Sequence, residues 1–342
     1  MDVRFPNIAR FLLALYFCLS ASVLCAAEVN VYSARKENLI KPLLLQFQEL
    51  TGTSVNLITG KADTLLQRII SEGQHSPADI LITIDAGRLH RALQANILLP
   101  VDTPALRNSV PQQYRDPDGN WFGLSLRARP IMYASDRVNP EDLSTYENLS
   151  LPGWQGKICT RSSDNIYNQS MVASMLAHHG KEYTLAWTRG LVSNFARPPQ
   201  GGDRDQIRAV AAGQCDVAIA NSYYLGKMLA SKDSAQREAA QKVGIFWPNQ
   251  DDRGVHVNIS GGAVIRTSKN RAAAVALLEF LVSDAAQQWY AETNFEYPVK
   301  PGVRSSEMLT RWGQFKADSL NLYLLGELNS DAVMVMDHAR WK

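Results

Sequence analysis

The chain has 342 residues, with 35 Lys and Arg against 33 Asp and Glu, a formal net charge of +2 and a hydrophobic share of 46%. So even a balance carries no basic footprint of a nucleic-acid-binding protein. A chain of this length exceeds what one core usually holds, so two lobes of ordinary domain size are expected.

Residues 1–27 read MDVRFPNIARFLLALYFCLSASVLCAA, in which Arg4 and Arg10 precede an uncharged apolar run from Phe11 to Leu24 that ends in Cys25-Ala26-Ala27. This is the pattern of a secretory signal peptide. The run of about 14 residues falls short of the roughly 20 that a spanning helix needs, so cleavage after Ala26 or Ala27 is expected. Neither Cys18 after Phe17 nor Cys25 after Leu24 has the small preceding residue that lipidation needs. No later apolar segment is long enough to cross a bilayer. Removing Asp2, Arg4 and Arg10 with the leader leaves 33 basic and 32 acidic residues, a charge near +1. Cys159 and Cys215 then remain as two thiols in an oxidising compartment, where they are candidates to pair. As metal ligands they would need further soft partners. The six histidines form no ligand spacing, and His178-His179 read as surface residues near a helix end.

From Glu28 onward, β-branched runs alternate with amphipathic helical runs, the pattern of βαβ units. EVNVYS reads as a first strand, residues 39–50 as a helix, SVNLITG as a second strand, 62–72 as a helix, ADILITID as a third strand and 88–95 as a helix. After the DPDGN turn, WFGLSLRARPIMYASD is extended over more than twice the usual strand length, so it is expected to begin in one lobe and end in the other. A second series follows: strand GKICTR, helices over about 166–178, 183–191 and 205–212, strand CDVAIA, and a helix from Tyr223. GVHVNISGGAVIRTS is again extended and is expected to cross back, ahead of helices over 271–282 and 285–292. Residues 305–342 read as a helical tail on one lobe. Two extended crossings make a hinged pair of α/β lobes around a cleft. The expected division is 28–126 with 255–300 in one lobe and 127–254 with 301–342 in the other.

In open parallel sheets, ligands bind beyond the carboxyl ends of strands, where loops enter helices. Those ends carry Tyr32-Ser33-Ala34-Arg35, then Arg127 and Arg129 on the bridging stretch, then Ser162 to Tyr167, then Asn221-Ser222-Tyr223-Tyr224. In a first helical turn, Tyr223 and Tyr224 diverge by about 100°, so both rings can border one cleft. With Tyr167 at the corresponding place of another strand-loop-helix unit, three phenols are candidates for one site. Packing is the bland alternative for such a pair. A phenol becomes a good ligand as phenolate, a hard anionic oxygen that suits ferric iron better than zinc or cuprous copper. Three phenolates would neutralise a trivalent ion and leave coordination positions open. Arg127 and Arg129, two apart on a strand, share a face and can fork a small oxyanion. Arg35, at a helix start, needs an anion or a carboxylate nearby. A structural ion pair is the competing explanation for each arginine.

At these residues the sequence resembles the periplasmic ferric-binding proteins of iron ABC importers, within the type II periplasmic-binding-protein fold. The resemblance runs through NVYSAR, SPADILIT, WFGLSLRARPIMY, SSDNIYNQS, GQCDVAIANSYYLG and NFEYPV. It implies Tyr167, Tyr223 and Tyr224 as ligands of Fe(3+). It also implies Arg35 and an arginine of the LRAR segment, with Asn221 nearby, as holders of a carbonate or bicarbonate anion. Many members carry His or His-Tyr after the first arginine, whereas this chain has Lys36-Glu37, and the acidic ligand some members place after the third strand is replaced by Thr83-Ile84 with Asp85 one residue on. The resemblance therefore implies the subgroup with three tyrosines and an anion, with Glu37 a possible extra ligand or simply a helix-start carboxylate.

The expected function is capture of ferric iron in the periplasm by a monomer that delivers it to an inner-membrane ABC permease, without catalysis. The same fold could instead hold an oxyanion, a polyamine or another small solute. An exported enzyme is the third reading, but no Ser-His-Asp order, CxxC, HExxH or phosphate-cradling glycine loop supports it.

Overall fold

The computed structural model describes residues 27–342, so the signal peptide read over 1–27 lies, apart from Ala27, outside the described residues. The strands are β1 (Glu28–Ser33), β2 (Ser54–Thr59), β3 (Ile80–Ile84), β4 (Leu98–Leu99), β5 (Phe122–Ala128), β6 (Ile131–Ala134), β7 (Ile158–Cys159), β8 (Val217–Ile219), β9 (Val243–Phe246) and β10 (Val257–Ile265). One sheet runs β2-β1-β3-β10-β4 with β5 paired to β10, and a second runs β7-β8-β6-β9. In the first, β1 is parallel to β2 and β3, while β10 is antiparallel to β3, β4 and β5. In the second, β7 and β8 are parallel, and β6 is antiparallel to both β8 and β9.

The long extended stretch is two strands, one in each sheet, with Arg129 and Pro130 as the whole connection between them. Proline offers no backbone N–H to a ladder, so the pairing stops there and the chain changes sheet. The return passes from β9 to β10. Strand β5 and all nine residues of β10 are buried. Although covered on both faces, each strand alternates apolar with polar over part of its length, Leu124-Ser125-Leu126-Arg127 in β5 and Val257-Asn258-Ile259-Ser260 in β10, and these buried polar side chains are hydrogen-bonded to other residues. Helices close in on β10 from two sides: a Cβ added at Gly261 would lie 2.5 Å from Leu89 Cδ1, and one at Gly262 would lie 2.8 Å from Leu278 Cδ2.

Strand β9 was not expected from the sequence. Its VGIF run is short and contains Gly244, whose missing side chain leaves room for the Tyr133 ring, 2.3 Å from where a Cβ would stand. The two helices expected over 166–178 and 183–191 are present within Ile166–Ser193 and meet at a kink at Gly180, which is non-helical at φ 74°. A positive φ there costs glycine little, so one helix ends and the next begins without strain.

The tail expected on one lobe touches both. Helix Tyr323–Glu327 packs on helix Ala86–Gln94, which follows β3 of the first sheet, and on Ile166–Ser193, which follows β7 of the second; helix Asn329–His338 packs on Ile166–Ser193. The close approach depends on Gly326, where a Cβ would fall 2.2 Å from the Cβ of His90. At the edge of the second sheet, the sulfurs of Cys159 and Cys215 are joined at 2.11 Å.

Candidate metal centre

Because β7 and β8 are parallel neighbours, the helices that follow them start at the same end of the second sheet. Asn165 caps the first, accepting a hydrogen bond from the Tyr167 N–H at 3.2 Å, which sets Tyr167 in the opening turn. Helix Ser222–Leu229 carries Tyr223 and Tyr224 in its opening turn. The Tyr223 hydroxyl donates to the Tyr167 hydroxyl at 3.4 Å, and the Tyr223 and Tyr224 rings lie 4.3 Å apart between centroids, tilted by 34°. All three rings border a cleft cavity of about 540 Å³.

Burial pushes the Tyr223 phenol well above its ordinary value, and the neighbouring Tyr167 and Tyr224 push it further, while the Arg127 guanidinium pulls the other way. Tyr224 is raised too, first by burial and then by Tyr167 and Asp203. Both rings are therefore protonated at neutral pH until a cation arrives to hold the phenolate. Among the described residues, no group of three or more His, Cys, Asp or Glu is placed to hold a metal ion, so the phenols are the clustered hard donors.

The four residues expected around an anion are divided between two places. Arg35 is bidentate on Glu296, at 2.9 and 3.1 Å, and also donates to Ser260 Oγ. Arg127 reaches the same carboxylate at 3.1 Å and the Tyr167 hydroxyl at 3.4 Å, with its ring-facing carbon 5.1 Å from the Tyr223 centroid. Burial would raise the Glu296 carboxyl, but the Arg127 and Arg35 charges outweigh it and hold it down at about 2. Glu296 is the carboxylate that Arg35 required, and sequence reasoning gave it no role although it stands in the NFEYPV segment.

Arg129 and Asn221 do not line the open cleft. Arg129 donates to Asp203 at 3.1 Å, to Asn221 at 3.0 Å and to Asn168 at 2.6 Å, behind the tyrosines and 1% exposed. Asp203, fully buried, also accepts from Arg161 at 2.8 Å. Both terminal nitrogens of Arg129 are held by protein groups, and its buried Nε is left without a partner among the described residues. Arg127, Arg129 and Asn221 do share a small enclosed space with Asp85, His256 and Asn258. Asp85 itself accepts from Ser170 Oγ at 2.7 Å, Asn258 Nδ2 at 2.8 Å and the Gly87 N–H at 2.9 Å, so it is spent on joining the helices after β3 and β7. Glu37 is exposed and paired with Lys41 at 2.7 Å, away from the phenols.

Sequence reasoning gave no role to several cations that line the cavity, Lys227 and Arg204 among them. Lys227 lies one turn beyond Tyr223, its ammonium 5.4 Å from that ring, and burial draws it down to about 8, with Glu296 opposing and Arg35, Arg127 and Arg204 adding to the fall. Arg204 lines the same cavity and its buried Nε has no partner. The signal for Lys227 was its spacing of four from Tyr223, on the same face of the helix.

Lobes joined by two extended crossings close over such a cleft by bending at the crossings, and the molecule is a solute-binding protein of the two-lobed type II kind. The chain belongs to the family described as bacterial extracellular solute-binding protein, whose profile matches residues 75–315. It is 50% identical over 315 residues to iron uptake protein A1 of Synechocystis sp., covering 92% of this chain and 88% of that one. Among solved structures, it is similar to the Trichodesmium protein IdiA (FutA) in complex with iron and citrate ligands, with a TM-score of 0.91, 49% identity and coverage of 92% and 100%. The open conformation of Mannheimia haemolytica ferric iron-binding protein A matches with a TM-score of 0.87, 42% identity and coverage of 92% and 99%.

Proposed function

We infer that this protein captures ferric iron between its lobes in the periplasm and hands it to an inner-membrane ABC permease, as a monomer. The observation that carries the reading is the convergence of Tyr167, Tyr223 and Tyr224 on one wall of the cleft cavity, with hydroxyls of two of them 3.4 Å apart. The names of its relatives, an iron uptake protein and ferric iron-binding proteins, support the same cargo. The leader sequence supports export.

On arrival of the ion, the three phenolic oxygens displace water or other ligands, and their three protons leave to bulk solvent. Three phenolates neutralise a trivalent ion, and the remaining positions of the ion are open to the oxygens of a small anion, of which carbonate or bicarbonate is the simplest. Arg127, with its Nε unpartnered, stands next to Tyr167 and Tyr223 to receive it, and Arg35 is steadied through the shared Glu296. Glu296, Asp203 and the paired arginines keep the phenol oxygens in place. Binding and release require no covalent step.

The reading is tested by incubating separate samples of the purified protein with ferric, zinc or, without oxygen, cuprous ion in bicarbonate, desalting each and measuring retained metal. Near-stoichiometric iron is expected; retention of zinc or copper in preference would overturn the assignment.

A further inference from the structure

A second cavity, of about 510 Å³, lies behind the cleft. It falls within the roughly 300–1,000 Å³ that small organic ligands occupy. Consecutive residues divide the two spaces: Arg127 and Glu296 line the cleft, whereas Leu126 and Tyr297 line the second cavity. Successive residues of an extended chain point to opposite faces, so the cavities stand back to back across β5. Two backbone hydrogen bonds fasten the shared wall, from the Leu126 N–H to the Tyr297 carbonyl at 2.7 Å and from the Tyr297 N–H to the Leu126 carbonyl at 2.9 Å.

The far wall belongs to the tail and touches the return crossing. Phe315 meets the Tyr297 ring edge-on at 4.9 Å between centroids and stacks at 4.3 Å on Trp247, the residue that follows β9 of the second sheet. Ala317 bridges to Val255, just ahead of β10. The buried Tyr297 hydroxyl has no partner among the described residues, so packing alone holds its ring. Pro298, Val303 and Leu309 make most of the remaining lining apolar. Among the described residues that line the cavity only Lys300 is charged, and Asp284 matches it at 2.6 Å. A neutral ligand therefore suits the space better than an ion. The side chains of Ser305 and Gln314 also line it and make no hydrogen bond to protein groups among the described residues. Thr310 and Gln314 are exposed, so the mouth is reached from solvent.

We propose that this cavity is a second binding site, for a small neutral molecule with a flat apolar ring and an amide or carbonyl end, and that its occupant tightens iron binding from behind. The ring packs against Pro298, Leu309 and Phe315, and the polar end meets Ser305 and Gln314. A filled cavity holds the Leu126–Tyr297 pair still, so Arg127 and Glu296, each one residue away, lose less freedom when the ion and its anion arrive. The coupling rests on the iron reading above, whereas the site itself does not.

Benzamide is the probe, because it has the ring and the amide without a charge that the cationic cleft would attract. Its binding to the metal-free mature protein is followed by calorimetric titration. Saturable binding is expected in the wild type. Thr310→Trp, an exposed position at the mouth, should abolish it with an unchanged melting temperature, and Gln314→Leu should weaken it roughly threefold to tenfold, the scale of one hydrogen bond. With saturating benzamide, iron affinity measured by chelator competition should rise about fivefold or more, the lower end of usual coupling between sites, in the wild type and not in Thr310→Trp. No saturable binding, or binding that both substitutions leave unaltered, would overturn the proposal and leave the iron reading standing. So would an iron affinity that benzamide leaves unchanged or weakens. A wild type that binds benzamide but takes no iron from any ferric source would overturn the iron reading and the coupling together while sustaining the site.

Discussion

The Tyr223 hydroxyl donates to the Tyr167 hydroxyl at 3.4 Å, although 56 residues separate them. The parallel pairing of β7 with β8 fixes the starts of both helices, so the fold itself brings the two oxygens together. A site held in place by the fold loses little freedom on binding. Replacing Tyr167 by Phe keeps the ring and removes one donor. Iron affinity, measured by competition with a chelator of known strength, should fall by more than the roughly 10–100-fold that losing an outer partner of a ligand costs. An unchanged affinity would remove Tyr167 from the ligand set.

Glu296 holds two buried arginines at once, and its side chain is 1% exposed. Glu296→Gln keeps the shape but leaves both guanidinium charges without a counter-charge, and loss of one partner of a buried pair costs about 3–5 kcal/mol. Urea unfolding at pH 7 should show a loss on that scale. The sign with pH follows from the carboxyl being held at about 2 in the fold, below an unfolded value near 4.3. Its contribution is complete above about pH 4.5 and is lost as pH falls towards 2, so the gap between wild type and variant should narrow over that window. A constant gap from pH 7 to pH 2 would contradict this account of Glu296.

The bond between Cys159 and Cys215 closes a loop with a sequence separation of 56. Thiol counting on the denatured, unreduced mature protein should give zero. A loop of this length constrains the unfolded chain by about 4 kcal/mol in the chain-entropy description. The double Ser variant should unfold at correspondingly lower urea, and two free thiols in the wild type would refute the pairing.

The tail joins the lobes through the contact of Gly326 with His90. An alanine at 326 forces a backbone shift where the nearest atom is the His90 Cβ and cannot swing away. Overpacking of this kind costs about 1–3 kcal/mol. A melting temperature equal to wild type for Gly326→Ala would show that the tail yields there freely.

The order of strands and helices was legible because each lobe repeats one period switch, from two in the strands to 3.6 in the helices. The convergence of the three tyrosines was legible for a related reason: Tyr167, Tyr223 and Tyr224 each follow a strand end, where the chain must turn into a helix. Partners distant in the chain were not. Glu296 lies 261 residues from Arg35, and no spacing rule joins them, so the arginines looked free for an anion. Arg129 and Asn221 were placed at the site by their strand ends, yet Asp203 and Asn168 draw Arg129 behind the rings. Strand β9 was hidden because VGIF is short and its pairing with β6 is supplied by the fold. The bridging tail was hidden because its helices are short and their burial is set by neighbours from both lobes.

The iron reading stands on Tyr223 and Tyr224 binding ferric iron as phenolates. Phenolate on ferric iron gives a visible charge-transfer band, so the most direct measurement is the absorption spectrum of the metal-free protein during titration with ferric citrate in bicarbonate. The account predicts an orange to red band that saturates at one iron per chain and is lost in the Tyr223→Phe, Tyr224→Phe double variant. A colourless wild type, or a double variant as strongly coloured as wild type, would contradict it.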